Sequence, residues 1–549
     1  MGTNSIAESQ KAEVRATLFH HLAGIALAPT IKALADRRVF ELFHNISNEI
    51  TLDEIVERTR GNRGYLRVAL RLLVSCGWMR QTVRANGQHV SYSLTPEGVI
   101  GTSVAPALYA EILPFLPKAM YLEDFLFGGS GAPALTSLPE LISRSKDRWN
   151  VAPHSDELEV KVLHEQIMRQ IDGLLVGPAM VALARNGILA QLEKGSVSLD
   201  KLSGNHATLD CIFDLLSTQG WITRDHGRIA LTPCGCYAAQ IASSYGVTVS
   251  YLPMFNVVST LIFGNPRIPR FDDNGIELLV DRAMNVWGSG GAHRTYFKKV
   301  DEIIVELFNR PLDSQPKGIC DMGCGDGSLL EHLYTVVQDQ TARGKVLDQH
   351  PLIIVGADFN KVARRAAKLT LRKAGVPHFH IIHGDINRPA LLAGDLEALG
   401  LDIHDLLHVR SFLDHNRPYI PPAGYTKGKR AARCTGAFAH FGQEILPDEL
   451  EENLVRHLRR WAPYVGRFGL LVLELHTLPP EFTAANLEKT PAVAYDGTHG
   501  FSDQYLVELP IFLDCAREAG LQSDERFQSK FPPSDLATVS MNFFTTAAR

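Results

Sequence analysis

The first half of the chain carries a pattern of apolar and polar positions that occurs twice. One copy begins GIALAPTIKALADRRVFELF at Gly24, and the other begins GLLVGPAMVALARNGILAQL at Gly173. Each is followed, in the same order, by a Leu-Asp segment, an apolar run that ends in Gly-Trp, and a Leu-Thr-Pro turn. Chance is a poor explanation for four blocks in one order, so we predict an internal duplication.

The periodicity within each copy predicts a helix, a capped helix, a further helix, a Gly-Trp turn, a strand, a polar turn and a strand. Thr51 and Ser198 stand before the Leu-Asp pairs, where a hydroxyl side chain can cap the N-terminus of a helix. This order of elements is typical of a winged helix-turn-helix. We expect such modules over residues 1–104 and 161–249, a helical linker over 105–160, and lid or connector helices over 250–310.

From residue 318 the pattern changes to apolar strands that alternate with helices. The predicted strands lie in the segments GICDMG, LIIVGAD, HFHIIHGD, DLLHVRS and LLVLELH. Such alternation predicts a doubly wound, mostly parallel sheet that binds its ligand at the carboxyl ends of the strands. We therefore expect an α/β, Rossmann-like domain over residues 311–549, preceded by a mainly helical region with two winged-helix repeats.

Composition and charge remove several classes of protein from consideration. The 549 residues are 45% apolar and carry a net charge of −5, whereas nucleic-acid binding usually leaves a basic footprint. The eight cysteines are too sparse for a disulfide framework. No apolar run approaches the length of a membrane span, since even the strongly apolar stretch at residues 469–475 is interrupted by Glu474. We expect a cytoplasmic protein without a membrane span or a nucleic-acid partner.

A cluster of glycines follows the first strand of the C-terminal region. The segment with Asp321, Gly323, Gly325 and Gly327 departs from the dinucleotide pattern, in which the third glycine would stand at Ser328. Glycines let the backbone approach a ligand closely, and the Asp321 carboxylate suits a cationic or hydroxylated group. This combination predicts a ligand with an amino-acid part and a ribose but no phosphate.

Two later strands also end in acidic residues. Asp358 ends the second strand, where its carboxylate can accept hydrogen bonds from both hydroxyls of a ribose. Asp385 and Ile386 follow the third strand, where they can bind the exocyclic amine and the ring face of an adenine. Because these positions are all at strand ends, we predict that they form one nucleoside site.

With these motifs, residues 311–549 resemble a class I S-adenosylmethionine-dependent methyltransferase. Asp321 and the three glycines match the first motif of that superfamily, Asp358 its ribose acid, and Asp385 with Ile386 its adenine site. The tandem modules are similar to the dimerisation domain of small-molecule O-methyltransferases, which normally have one copy. The segments HVRSFLDHNRPY (408–419) and HGFSDQYLVE (499–508) resemble C-methyltransferase domains of polyketide-synthase loading modules, some of which use a bound iron. The resemblance implies S-adenosyl-L-methionine as cofactor and a homodimer.

The segment after the fourth strand offers groups for acid–base chemistry. Asp414, His415 and Arg417 stand there, just after an apolar run. Simple O-methyltransferases place a His-Asp pair in this region and use its His as general base, whereas this chain has Asp-His. Methyl transfer needs a positioned nucleophile and, in many cases, removal of its proton, so we predict these three residues as catalytic.

A metal site is a second hypothesis for the same region. His476 follows the fifth strand and Gln504 lies in a later polar segment, and both can converge on His415 at the strand ends. Two His and a Gln form a facial ligand set of the kind associated with non-haem iron or manganese. Such a metal would stabilise the enolate of a 3-oxo acid before methyl transfer to carbon.

Three functions are open at this point. The first is C-methylation of a 3-oxo or malonyl-type acid, free or bound to a carrier protein, in secondary metabolism. The second is O-methylation of a small molecule with His415 as base. The third, from a different class, is a cofactor-sensing winged-helix regulator, although the two predicted recognition helices differ in charge and the second has no Lys or Arg.

Overall fold

The first winged-helix module occupies the N-terminal part of the chain. The computed structural model describes residues 6–43, 49–84, 87–128, 135–150, 158–273 and 276–546. The strands of the module form a three-stranded antiparallel sheet in the order β1-β3-β2. Its elements are α1 (Glu8–Asp36), β1 (Ile50–Thr51), α2 (Leu52–Thr59), α3 (Arg63–Ser75), β2 (Met79–Arg84), β3 (His89–Leu94) and α4 (Pro96–Ile112).

The second module repeats this arrangement after a helical linker. Its sheet has the order β4-β6-β5, which corresponds strand by strand to that of the first module. The linker consists of α5 (Leu116–Ala119), α6 (Leu122–Phe127) and α7 (Leu138–Lys146). The module consists of α8 (Leu158–Arg185), α9 (Ile188–Glu193), β4 (Val197–Ser198), α10 (His206–Thr218), β5 (Ile222–Asp225), β6 (Arg228–Leu231) and α11 (Pro233–Gln240).

Equivalent residues of the two modules make equivalent contacts. Thr95 caps α4 by accepting a hydrogen bond from the N–H of Gly98 at 2.9 Å. Thr232 caps α11 by accepting a hydrogen bond from the N–H of Gly235, also at 2.9 Å. The duplication predicted from the sequence is therefore present in the structure.

The modules differ where the Leu-Asp segments begin. Thr51 caps α2, because its hydroxyl accepts a hydrogen bond from the N–H of Glu54 at 3.2 Å. Ser198 precedes only a 3-10 turn over Leu199–Lys201, and its side chain makes no capping hydrogen bond. The predicted cap is thus correct for the first module and wrong for the second, where the segment is too short for an α-helix.

The two modules meet where the long helices α1 and α8 cross. A Cβ added to Gly24 of α1 would lie 2.0 Å from the carbonyl oxygen of Gln170 on α8. A Cβ added to Gly173 of α8 would lie 2.2 Å from the carbonyl oxygen of His21 on α1. The two glycines that begin the sequence repeat therefore let the helix backbones touch.

Among the described residues, three helical segments reach the length and mean hydropathy of a membrane span. They are Glu8–Asp36 (α1), Pro96–Ala119 (α4 through α5) and Val160–Arg185 (most of α8). In the most apolar 18-residue stretch of each, 83%, 39% and 89% of the stretch is buried inside the protein. The sequence analysis considered only uninterrupted apolar runs and did not identify them. For the first and third helix, burial against each other and against the rest of the core accounts for the apolar composition.

The second module connects to the C-terminal domain through further helices. The longest of them, α15, packs against α12 at one end and against the first helix of the C-terminal domain at the other. These helices are α12 (Gly246–Ser250), α13 (Leu252–Asn256), α14 (Val258–Phe263) and α15 (Arg282–Phe308).

The C-terminal domain is built on a mixed sheet in the order β14-β16-β13-β10-β7-β8-β9, with β15 paired to β16. The five strands from β9 to β13 along this order are parallel, and β16 is antiparallel. This confirms the predicted α/β fold. The strands are β7 (Gly318–Met322), β8 (Ile353–Asp358), β9 (Phe379–His383), β10 (Leu406–Ser411), β11 (Phe438–His440), β12 (Gln443–Ile445), β13 (Leu470–Leu475), β14 (Leu521–Ser523), β15 (Ser529–Phe531) and β16 (Val539–Thr546).

Helices of the C-terminal domain cover this sheet, except for α20 and α21, which pack against the first module. The two larger of the apolar clusters on the sheet include Trp461 in one case and the C-terminal half of α15 in the other. The helices are α16 (Ser328–Gln340), α17 (Lys361–Lys373), α18 (Pro389–Glu397), α19 (Pro447–Val465), α20 (Pro480–Ala484), α21 (Ala492–Phe501) and α22 (Leu509–Glu518).

The first recognition helix, α3, is buried between the module and the C-terminal domain. Its residues from Gly64 to Ser75 are buried, and Arg67 pairs with Glu444. Arg71 pairs with Asp496 of α21, with 2.9 Å between Nε and Oδ2. A helix whose cations are neutralised inside the protein cannot enter a DNA groove, so the structure argues against a DNA-reading role for this module.

Candidate active site

The glycine-rich turn joins the end of β7 to the start of α16. Gly323, Gly325 and Gly327 have φ angles of +86°, +54° and +82°, in the left-handed region that glycine adopts without strain. A Cβ on Gly327 would lie 2.9 Å from the Cα of Ala367 on α17, whereas a Cβ on Gly325 would meet no atom within 4 Å. Gly327 therefore permits close packing of α17, and Gly325 leaves space beside the turn.

Asp321 and Asp358 lie on the neighbouring strands β7 and β8. Asp321 is 1% exposed, and its Oδ1 has no hydrogen-bond partner among the described residues. Burial, together with the charge of Asp358, raises the pKa of Asp321 to about 8. A buried carboxyl group without a partner is a suitable site for a cationic or hydrogen-bond-donating part of a ligand.

The carboxylate of Asp358 supports the glycine turn. Its Oδ2 accepts a hydrogen bond from the N–H of Gly325 at 3.1 Å, and its Oδ1 accepts one from Asn360 at 2.7 Å. Burial raises the pKa of Asp358 in spite of these bonds. The turn after β7 and the end of β8 are thus joined by a direct contact.

Asp385 and Ile386 follow β9. Oδ1 of Asp385 accepts a hydrogen bond from the N–H of Asn387 at 2.9 Å. Ile386 is 5% exposed, and its carbonyl oxygen accepts a hydrogen bond from Nε1 of Trp461 at 2.7 Å. The loop is therefore held rigidly by α19 at the point where the sequence analysis placed an adenine.

An exposed aromatic ring next to Asp358 was not selected from the sequence. Phe359 is 73% exposed, and its ring centroid lies 5.3 Å from that of His383 at the end of β9. An exposed large apolar side chain beside a buried carboxyl group offers one face to a ligand. The signal in the sequence was a Phe directly after the acidic end of a strand.

These residues suit S-adenosyl-L-methionine. The open side of Gly325 admits a ligand close to the backbone, and the unpartnered oxygen of Asp321 suits its cationic amino-acid group. Asp358 has the position for the ribose, and Asp385 lies just after the neighbouring strand, β9. These are the residues that would hold the cofactor.

His415 lies in a short turn after β10, where a carboxylate from β13 holds it. Its Nδ1 lies 2.5 Å from Oε1 of Glu474, and its backbone N–H donates to Oε2 of the same carboxylate at 3.1 Å. His415 is 6% exposed and Glu474 is 1% exposed. Because a carboxylate oxygen accepts hydrogen bonds, this contact favours the neutral imidazole tautomer that has its proton on Nδ1 and its lone pair on Nε2. This is the geometry of a general base with an orienting carboxylate.

Asp414 belongs to a separate, buried ion network. Its Oδ1 lies 2.6 Å from Nη1 of Arg410 and 2.9 Å from Nε2 of His457. Burial alone would raise the pKa of Asp414, but the Arg410 guanidinium and the His457 hydrogen bond hold it below its usual range. The geometry suits an ionised residue that positions the His415 turn.

Arg417 ends the same turn and is also buried. Its Nη1 donates to the carbonyl oxygen of Asp414 at 2.8 Å, and its Nε donates to Oδ1 of Asn453 at 2.8 Å. Its Nη2 is buried without a partner among the described residues, and its side chain lines a small cavity together with His415 and Glu474. A free guanidinium N–H can bind a carboxylate or carbonyl oxygen.

The predicted metal ligands do not come together as a set. Nδ1 of His476 lies 3.1 Å from the carbonyl oxygen of Val507, and its Nε2 lies 2.7 Å from Oγ of Ser540. Gln504 uses its Nε2 to donate to the hydroxyl of Tyr251 at 2.7 Å. Within the described ranges, no group of three or more His, Cys, Asp and Glu side chains could hold a metal ion. The iron or manganese site predicted from His415, His476 and Gln504 therefore does not fit the structure, because His476 has no free nitrogen.

A different imidazole stands beside His415. The ring of His499 on α21 lies 5.1 Å from the His415 ring, measured between centroids, and its Nδ1 donates to the carbonyl oxygen of Tyr495 at 2.7 Å. Burial, with the neighbouring His415, lowers the pKa of His499 to about 3, so this ring is neutral. His499 is not among the site residues predicted from the sequence.

A second small cavity lies where α3 meets the C-terminal domain. Its lining includes Arg71 from α3 together with Asp496, His499 and Gln504. Nη2 of Arg71 also donates to Oγ1 of Thr477, at 2.9 Å. The first module therefore contributes a wall to the cavity that His499 lines.

Comparison with families of known proteins covers most of the chain. Residues 14–81 match the AprA N-terminal domain, residues 172–265 the AprA winged helix domain, and residues 277–542 the AprA MT2-like domain. The chain is an AprA-like methyltransferase. Its match to the MT2-like domain begins at residue 277 and so includes α15, which the sequence analysis assigned to a connecting segment. It is an enzyme that depends on S-adenosylmethionine.

Solved structures with a similar shape were also found for this AprA-like chain. Mitomycin 7-O-methyltransferase MmcR is 14% identical, with a TM-score of 0.40 over 70% of this chain and 98% of that one. The SAH-bound methyltransferase CalO1 of calicheamicin biosynthesis is 17% identical, with a TM-score of 0.38 over 72% of this chain and 100% of that one. Human N-acetylserotonin methyltransferase in complex with SAM is 11% identical, with a TM-score of 0.40 over 72% of this chain and 100% of that one. A search of curated proteins found no match.

Proposed function

We propose that this enzyme methylates the α carbon of a 3-oxo or malonyl-type acid, free or bound to a carrier protein, with His415 as the base. The observation that carries the proposal is the buried His415–Glu474 pair at the end of β10. Arg417, whose Nη2 is unpartnered, lines the same cavity as His415, and this cavity of about 10 Å³ has room for a single oxygen atom of an acidic acceptor. The eight cysteines are free thiols, which suits the reducing cytoplasm that we propose as its location.

The chemistry divides between cofactor and protein. S-adenosylmethionine supplies an electrophilic methyl group on a sulfonium. Arg417 binds a carbonyl or carboxylate oxygen of the acceptor, which favours the enolate form. Nε2 of His415 takes the proton from the α carbon, and Glu474 stabilises the imidazolium that forms. With the cofactor bound, a new carbon–carbon bond would replace its carbon–sulfur bond, and S-adenosylhomocysteine and the methylated acid would be the products.

The proposal is tested with S-adenosylmethionine that carries a trideuterated methyl group. The enzyme is incubated with a panel of 3-oxo acids, malonyl and acetoacetyl thioesters and phenols, and the products are analysed by mass spectrometry and NMR. We expect the label on the α carbon of an oxo or malonyl acceptor. Label found only on oxygen would refute carbon methylation, and no transfer to any acceptor would refute the substrate class.

O-methylation is the second candidate, because the His415–Glu474 pair can equally remove the proton of a hydroxyl group. In that case the acceptor is a phenol or an enol, and Arg417 binds a neighbouring carboxylate. The position of the deuterated methyl group in the product separates the two candidates directly.

No step of the proposal passes through a metal ion. The sequence analysis expected iron or manganese, whereas His476 is fully engaged in hydrogen bonds to Val507 and Ser540. Metal analysis of the purified protein, followed by assay after chelation, tests that expectation. Stoichiometric metal together with loss of activity on chelation would show that a different ligand set operates.

A further inference from the structure

Helix α17 presents a strongly basic face. Six of its 13 residues are Lys or Arg, and it contains no Asp or Glu. Five of these cations are exposed, and four of the five lie at intervals of four, three and four residues, which places them in one stripe along the helix. We call this stripe, Lys361, Arg365, Lys368 and Arg372, the basic stripe.

The cations of the basic stripe have no ionic partners within the described part of the chain, and this distinguishes them from other basic segments. In the loop before β11, for example, Lys427 lies 3.3 Å from Glu449, and Arg430 lies 3.0 Å from Glu451. That loop is therefore neutralised by α19. In a chain with a net charge of −5, four adjacent unpaired cations form a local positive field.

Apolar side chains flank the basic stripe. Val362 is 71% exposed and Leu369 is 66% exposed, and both lie on the same side of the stripe, about one quarter of a turn away. The buried face of the helix, with Ala367 and Leu371, packs against the sheet and α16. Cations beside exposed apolar groups are a typical composition for a protein docking surface.

The basic stripe begins at the cofactor edge of the sheet. α17 starts three residues after Asp358, and Nη1 of Arg364 donates to the carbonyl oxygens of Asp358 and Phe359 at 2.7 Å each. A partner that lies along α17 is therefore next to the crevice in which the methyl donor would bind.

We propose that the basic stripe, with Val362 and Leu369, is the docking surface for an acidic carrier protein that delivers the acceptor as a thioester. The inference rests on the proposed function, since it names the source of the acid that is methylated. An acidic helix complements the stripe in charge, and its apolar residues can cover the two exposed side chains. Four cations on one helix are few for a nucleic acid, whose binding usually neutralises more phosphates.

The test measures binding of a fluorescently labelled, malonyl-loaded acyl carrier protein to the full-length enzyme by anisotropy. The variant Arg365→Glu/Lys368→Glu is compared with Lys194→Glu/Lys201→Glu, which makes the same charge change on exposed cations of the second module. We expect at least about tenfold weaker binding by the first variant, an affinity within about twofold of wild type for the second, and weakening with salt for wild type.

Equal affinity of all three proteins for the carrier, or no carrier binding by the wild type, would overturn the proposal. Duplex DNA and anionic vesicles are tested in the same way. If either binds the wild type and binds the stripe variant more weakly, while carrier binding is the same for both proteins, the stripe serves another partner and the proposal is also overturned. Turnover of malonyl-pantetheine is measured in parallel and is expected to be equal in all three proteins. Its absence in all of them would refute methylation of a malonyl thioester, while the carrier-binding measurement would still test the docking surface.

Discussion

Two buried carboxyl groups on neighbouring strands determine the electrostatics of the cofactor edge. Asp321 has an unpartnered oxygen, and burial with the charge of Asp358 raises the pKa of Asp321 to about 8. In the ligand-free protein this group is therefore mostly protonated at neutral pH. A cationic ligand favours the ionised carboxylate, so its binding must displace the proton.

Cofactor binding at pH 7 should therefore release a proton. The raised pKa means that the free protein holds this proton below about pH 8, and the affinity for S-adenosylhomocysteine should rise as the pH approaches that value. Calorimetry in two buffers of different ionisation enthalpy counts the proton. We expect release by the wild type and none by Asp321→Asn, and an identical buffer dependence of both proteins would contradict the assignment.

Loss of the His415 base should affect the rate of the chemical step. We expect His415→Gln to lower kcat by about 10²–10⁴-fold with little effect on cofactor affinity, because proton transfer contributes that much in general. Glu474→Gln keeps the shape of the site and should cause a smaller loss together with a changed pH profile. His404→Gln, an exposed histidine that pairs with Asp402, is the control and should retain full activity. Wild-type kcat in His415→Gln would exclude this residue as the base.

Sequence reasoning located Asp321, Asp358 and His415 because each follows or ends a recognisable strand. It missed Glu474 and His499 as partners of His415. Glu474 is separated from His415 by 59 residues and lies within an apolar strand, where it looked like an interruption. The choice between His476 and His499 depends on which side of the loop faces His415, and only tertiary packing determines that.

At the scale of elements, the crossing of α1 and α8 organises the front half. Gly24 and Gly173 occupy equivalent positions of the repeat, and each faces a backbone carbonyl of the other helix. The periodicity predicted the helices of both modules, but it could not show that they cross at the repeated glycine. It also gave a regular helix after Ser198, where the short segment forms a 3-10 turn.

The crossing makes Gly173 sensitive to substitution. In Gly173→Ala the new Cβ would lie 2.2 Å from the carbonyl oxygen of His21, so the helices must separate. We expect a cost of about 1–3 kcal/mol, as for other overpacked cores, and a thermal midpoint lower by several degrees. Gly394→Ala in α18, where a Cβ meets no atom within 4 Å, should leave the midpoint unchanged or raise it slightly. Equal midpoints for the two variants would contradict the close crossing.

At the scale of the whole molecule, the paired modules form an internal two-module unit. The resemblance to dimerisation domains suggested a homodimer, but here one chain supplies both copies and buries their contact. We therefore expect a monomer of 60.6 kDa in solution. Light scattering during size-exclusion chromatography measures this mass, and twice the value, independent of concentration, would show that the modules also pair between chains.

The most direct test of the account is a crystal structure of the enzyme with S-adenosylhomocysteine. We expect the ribose hydroxyls within hydrogen-bond distance of the Asp358 carboxylate, about 2.5–3.2 Å, and the amino group beside Asp321. The sulfur should then point toward the His415 turn. A nucleoside bound elsewhere on the chain, or at this edge with its sulfur directed away from His415, would contradict the account.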